Sequence, residues 1–135
     1  MDIRQKYAVA ETGRLHLRDA TDALMYTPEG AEIAVNLYGP GSKPYAKALA
    51  AQQHRNMERL RRKGRAAQSA EAIATEAAEF LADCTESFEH LDYDELTGSA
   101  LARAVYADKT IGFVGDQVAK FLNDWANFSP VSTAT

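Results

Sequence analysis

The chain has 135 residues, a formal net charge of −4, 46% hydrophobic residues and 25% charged residues. That length fits one domain, and the surplus of small Ala over large apolar side chains predicts a thin core. No run of about 18 apolar residues is present, which argues against a membrane span. The first residues lack the apolar stretch of a signal peptide, and a single cysteine cannot form an internal disulfide. The expected setting is the cytoplasm.

Residues 1–12 show no clean period and read as a flexible lead-in. From Gly13 the pattern alternates, with Leu15 and Leu17 set against Arg14, His16 and Arg18. This is the period of a half-buried strand. Tyr26-Thr27-Pro28-Glu29-Gly30 carries turn chemistry. A second alternation follows, with Ile33, Val35 and Leu37 against Glu32, Ala34 and Asn36. The two runs predict an antiparallel hairpin with one apolar face, which helices or another chain must cover.

Gly39-Pro40-Gly41 ends the second strand. Ser42 suits an N-cap and Pro44 a first helical turn, while Gly64 supplies a stop. The helix between them has a sparse apolar stripe of Tyr45, Leu49, Met57 and Leu60. Ser69 opens a second helix, whose stripe of Ile73, Ala77, Phe80, Leu81, Cys84 and Phe88 extends toward Leu91 within about 100° of arc. The short link predicts an antiparallel helix pair. Residues 91–98 read as an acidic loop. A short helix at about 99–107 points Leu101 and Val105 inward. Asp108 then caps a longer helix lined by Ile111, Val114, Val118, Phe121, Leu122 and Trp125. Phe113 falls off that stripe, toward solvent. Gly112 and Gly115 imply a late start or a close neighbour. Residues 129–135 read as a flexible tail. The expected fold is α+β: an N-terminal hairpin packed on an antiparallel helix pair, with one short and one longer C-terminal helix, as a single domain over residues 13–128.

The charge pattern is the most distinctive feature. Residues 55–65 carry six bases against one acid, and residues 71–95 carry nine acids and no Lys or Arg. An antiparallel pair sets the basic end beside Glu71, Glu76 and Glu79 and leaves the acids from Asp83 to Glu95 unmatched. A phosphate-binding helix is one reading of the basic end. A docking surface for a protein partner is the other, and the neighbouring acids favour it.

No catalytic pattern competes with it. His16, His54 and His90 are scattered and fit no metal frame. Cys84 lies on the apolar stripe, as a small hydrophobe would. The acids of the second helix lie on its polar face. Gly39-Pro40-Gly41-Ser42 lacks the ending of a phosphate loop and is explained by a turn and a cap. No cofactor is expected.

The order of segments resembles a family. Ile33-Ala-Val35-Asn-Leu37-Tyr38-Gly39-Pro-Gly-Ser42-Lys-Pro-Tyr45 follows the first strand, then Ala51-Gln-Gln-His-Arg55 through Lys63-Gly-Arg65. Phe80-Leu-Ala-Asp-Cys84-Thr85, Ala104-Val-Tyr106-Ala107-Asp108 and Gln117-Val-Ala-Lys-Phe121 complete the series. Over residues 13–128 this series looks like the small tail-assembly proteins of long-tailed bacteriophages and prophages, the tail assembly chaperone group. Relatives often place a Trp shortly after the Cys-Thr pair, where this chain has Phe88.

The resemblance implies a non-enzymatic factor in the cytoplasm of a bacterial host. It would bind the tape-measure protein, the tail tube protein or both, with homo-oligomerisation open. The expected partner-binding residues are Arg55, Arg59, Arg61, Arg62, Lys63, Met57, Phe113 and Trp125. Two rival readings are a tail terminator or connector retained in the virion, and a nucleic-acid-binding regulator using the basic helix.

Overall fold

In a computed structural model, residues 2–64 and 69–129 are described, the side chain of Lys63 excepted. Their elements run α1 (Ile3–Tyr7), β1 (Thr12–His16), β2 (Ala34–Tyr38), α2 (Lys43–Lys63), α3 (Ala70–Asp83), β3 (Thr85–Glu89), α4 (Gly98–Ala107) and α5 (Gly112–Leu122). Short 3-10 turns at Lys109–Ile111 and Trp125–Phe128 flank α5. The fold is α+β, built on an antiparallel sheet of order β1-β2-β3.

The predicted hairpin forms, with Leu15 opposite Val35 and Gly13 opposite Leu37. Its link is longer than one turn. The Asp19 carboxylate accepts hydrogen bonds from the Thr21 and Ala23 N–H groups and makes a first turn. Met25 then pairs back to Leu17 and onward to Ile33 before the expected turn at Thr27–Gly30. In the lead-in, residues 3–7 form an exposed helix, and the Ala10 N–H donates to the Phe128 carbonyl at 2.6 Å. The expected tail beyond Ser129 lies outside the described residues.

The second helix is shorter than its periodicity predicts. α3 ends at Asp83, and the chain turns into β3, antiparallel to β2, with Phe88 opposite Val35. Thr85 Oγ1 donates back to the Leu81 carbonyl at 2.8 Å and helps to end the helix. Phe88 meets the core whether the chain continues as a helix from Cys84 or alternates as a strand, so periodicity alone did not separate the two. The unpaired outer edge of β2 decides in favour of the strand.

The helix signals at α2 are as expected. Ser42 Oγ accepts from the Tyr45 N–H, Pro44 lies in the first turn, and Gly64 at φ 55° ends the helix. The late start of the last helix is the 3-10 turn at Lys109–Ile111, where Asp108 caps the Thr110 N–H. A Cβ at Gly115 would make only ordinary contacts with Leu81 and Tyr106.

One face of the sheet supplies Val35 and Leu37 to a core shared with Ala48 of α2, Leu81 of α3, Val105 of α4 and Val118 of α5. The other face is polar. There Arg14 reaches Glu89 at 3.1 Å and Glu32 at 2.9 Å, and Asn36 donates to Glu89 at 2.8 Å. The apolar face of the hairpin, a candidate for partner contact from the sequence, is therefore filled from within.

Phe128 closes the core. Its ring is fully buried, edge-on to Phe121 at 5.3 Å, and lies against the backbones of Gly13 and Gly39. A Cβ at Gly39 would fall 2.5 Å from Phe128 Cδ1, inside the contact distance of carbon atoms. Gly39→Ala should lower the unfolding free energy by about 2 kcal/mol. In the background Phe128→Leu, which removes the ring, the same change should cost much less. Denaturant titration of the four proteins of this cycle checks the coupling.

Candidate functional site

The α2–α3 pair carries most of the expected site. Its contacts advance in opposite directions along the two helices, so they are antiparallel. Arg55 of α2 meets Asp83 and Glu76 of α3, and Arg59, one turn further on, meets Glu76 again. Glu76 is buried, with 5% of its surface exposed. Its carboxylate accepts from Arg55 Nε at 3.0 Å and Nη2 at 2.8 Å, and from Arg59 Nη2. Burial alone would raise this carboxyl; hydrogen bonds from Arg55 and Arg59 outweigh it and hold Glu76 below its ordinary range.

Two arginines of the basic cluster are thus engaged inside the protein. Arg61 is exposed and pairs with Glu58 at 3.4 Å, and Arg62 is exposed. The side chain of Lys63, and all of Arg65, lie outside the described residues. The expected acidic partners sort differently as well. Glu79 faces Arg103 of α4 at 3.6 Å. Asp83, expected to be unmatched, pairs with Arg55, and Glu89 with Arg14. Glu86, Asp92, Asp94 and Glu95 form no ion pair among the described residues.

Because the inward side of distal α2 is taken by Arg55 and Arg59, its apolar residues turn outward. Met57 is 64% exposed and Leu60 49%; on α3, Ile73 is 59% exposed. Leu60 and Ile73 face a cleft of about 390 Å³ between the helices, with Gln52, Asn56 and Ala77 on its walls and Glu76 and Arg59 at its polar side. Large apolar side chains exposed together mark a contact surface more often than solvent-facing decoration. Ile73 was not among the expected site residues. Its place in the first turn of α3, opposite the overhanging end of the 21-residue α2, is the signal that identifies it.

Phe113 and Trp125 do not join this surface. Phe113 is half-buried against the core. Trp125 is 56% exposed, but its ring lies by Gly41 at the start of α2. The 12 positions from Lys43 to Arg55 alone span about 18 Å of helix. The expected partner-binding residues on α2 and Trp125 therefore lie apart.

Cys84 is fully buried, and burial, with Asp83 adding negative charge, pushes its thiol up to about 12, far from a reactive thiolate. Among the described residues no group of three His, Cys, Asp or Glu side chains could hold a metal ion. No described helix is long and apolar enough to cross a membrane. Comparison with protein-family models, curated proteins and solved structures finds no match to this chain.

Glu76→Gln keeps the shape and removes the charge that both arginines face. Its expected cost is about 2 kcal/mol near neutral pH. A carboxylate with a depressed folded pKa stabilises above its ordinary 4.5 and loses that contribution as pH falls through the folded value. The stability gap between parent and variant should therefore shrink on acidification below 4.5. Urea titrations across the acid range check this, and a pH-independent gap overturns the ion-pair account.

Proposed function

We propose that this chain is a non-enzymatic tail assembly factor that holds a helical partner, the tape-measure protein or the tail tube protein, before the tail polymerises. It would act in the cytoplasm of the bacterial host. The observation that supports this reading is the pair of exposed apolar residues Leu60 and Ile73 lining the α2–α3 cleft, with Met57 also exposed on α2. A cleft between two helices suits an amphipathic helix laid along it, anchored by apolar residues one turn apart. The internal Glu76 ion pairs fix the cleft walls beforehand, which lowers the ordering cost of binding. Arg61 and Arg62, exposed in the last turn of α2, offer charge for steering an acidic partner.

The nucleic-acid reading loses ground on the same geometry. Arg55 and Arg59 face Glu76, so fewer cations of the cluster remain for phosphate.

Co-expression with the tape-measure and tail tube proteins, followed by affinity capture, tests the proposal. Capture of at least one of them is expected. Replacing Leu60 and Ile73 with Glu should weaken that complex by about a hundredfold, since each removes an apolar anchor. The fold should persist because both side chains are exposed. Failure to capture either partner, or capture indifferent to the double variant, sinks the proposed surface.

A further inference from the structure

We propose that the outer edge of β3 is a second docking site, which takes an extended, basic segment of a partner protein as an added strand. The inference does not depend on the partner being a tail protein. It rests on hydrogen-bonding direction, a neighbouring cleft and charge.

The direction follows from the ladder. The Leu17 N–H donates to Ile33 and the Gly39 N–H to Glu11, so alternate residues of β2 face β1. Ala34 and Asn36 therefore face β3, where they stand opposite Glu89 and Ser87. Phe88, between these two, presents its N–H and carbonyl away from the sheet. No other described strand lies there.

The two edges of the sheet are treated differently. The β1 edge is bracketed at both ends. Before it, the Phe128 carbonyl accepts from the Ala10 N–H. Beyond it, the Gln117 side-chain amide accepts from the Arg18 N–H at 2.8 Å and donates to the Arg18 carbonyl at 2.6 Å, as a neighbouring strand would. No equivalent bracket meets β3 among the described residues. An open edge is a template for another chain unless it is blunted.

A cleft of about 370 Å³ runs beside this edge toward the start of α4, with Phe88, Leu91, Leu96 and Leu101 supplying apolar wall. Alternate side chains of an added strand would enter it. The surroundings select the charge of that strand. Glu86, Asp92 and Asp94 form no ion pair among the described residues, and Glu95 is likewise unmatched and exposed. No Lys or Arg occurs between residues 71 and 95. A second copy of this chain would bring the same acids against themselves, so a basic segment of another protein is the better complement.

The probe is a synthetic peptide alternating Lys with Val, added to the full chain while amide exchange is followed by NMR. Binding should protect the Phe88 amide and weaken as salt rises. The same peptide, N-methylated on the backbone groups that face β3, should bind about tenfold or more weakly, because it cannot donate to the edge. Asp94→Asn combined with Glu95→Gln should weaken the parent peptide by about threefold while leaving the thermal midpoint in place. An unprotected Phe88 amide at saturating peptide overturns the proposal. So does equal affinity for the N-methylated peptide. Concentration-dependent protection of Phe88 without peptide would assign the edge to a second copy instead.

Discussion

The buried carboxylate of Glu76 is the constraint on which the helical half of this protein depends. A carboxylate withdrawn from water must be paired and hydrogen-bonded, or it gives up its charge. α2 meets that demand with two arginines one turn apart, and the demand fixes how the helices lie. With Arg55 between Glu76 and Asp83, Arg59 one turn on reaches back to Glu76 only if α2 and α3 run in opposite directions with these turns level. The same pairing sets the rotation of α2 about its axis. With Arg55 and Arg59 turned toward α3, Met57 and Leu60 must turn toward solvent. The exposure of apolar residues at the distal end is thus a consequence of the ion pairs. A helix rotated to bury Met57 and Leu60 would leave Glu76 without its partners.

The sheet obeys a second constraint of the same type. β2 is a central strand, and its backbone groups need partners on both sides. The hairpin supplies one side, and the other is supplied from beyond α3, by a strand the helical stripe disguises. Pairing β2 twice moves the open edge outward to β3 and does not remove it. That edge borders the acidic stretch, so its charge sorting and its strand pairing describe one surface. Phe128 ties this half to the C-terminal end. Its ring needs two residues without side chains beneath it, which is the structural use of Gly13 and Gly39.

Much of the architecture was legible because it follows from local chemistry. Ser42, Pro44 and Gly64 mark the ends of α2 through capping rules that hold in any context. The alternation at Leu15–Leu17 and Ile33–Leu37 marks strands for the same reason. The errors arose where a residue's role is set by a distant partner. Cys84 and Phe88 lie inward under both helical and strand periods, so only the unpaired edge of β2 could end the helix at Asp83. The basic cluster gave the charge of Arg55 and Arg59 correctly, but charge does not reveal direction, and both arginines point inward. Trp125 shares an apolar helical stripe with Val118 on paper; a 3-10 turn at Trp125–Phe128 carries it out of that register, to the opposite end of α2.

The surplus of acid acquires a physical meaning once the paired groups are set aside. Arg55 and Arg59 are consumed within the helix pair, Arg14 on the polar sheet face, and Arg103 against Glu79. Each of these bases neutralises an acid whose position is fixed by the fold. Four of the acids left over, Glu86, Asp92, Asp94 and Glu95, lie in β3 or just after it, at an edge that lacks a partner strand among the described residues. Self-repulsion among them disfavours the compact state slightly and disfavours pairing between identical edges more, since two copies would double the charge in one place. An unpaired hydrogen-bonding edge that repels its own kind resists aggregation while remaining available to a strand of opposite charge. The acidic stretch therefore acts as both guard and selector for β3, and its physical role is separate from that of the apolar cleft between α2 and α3.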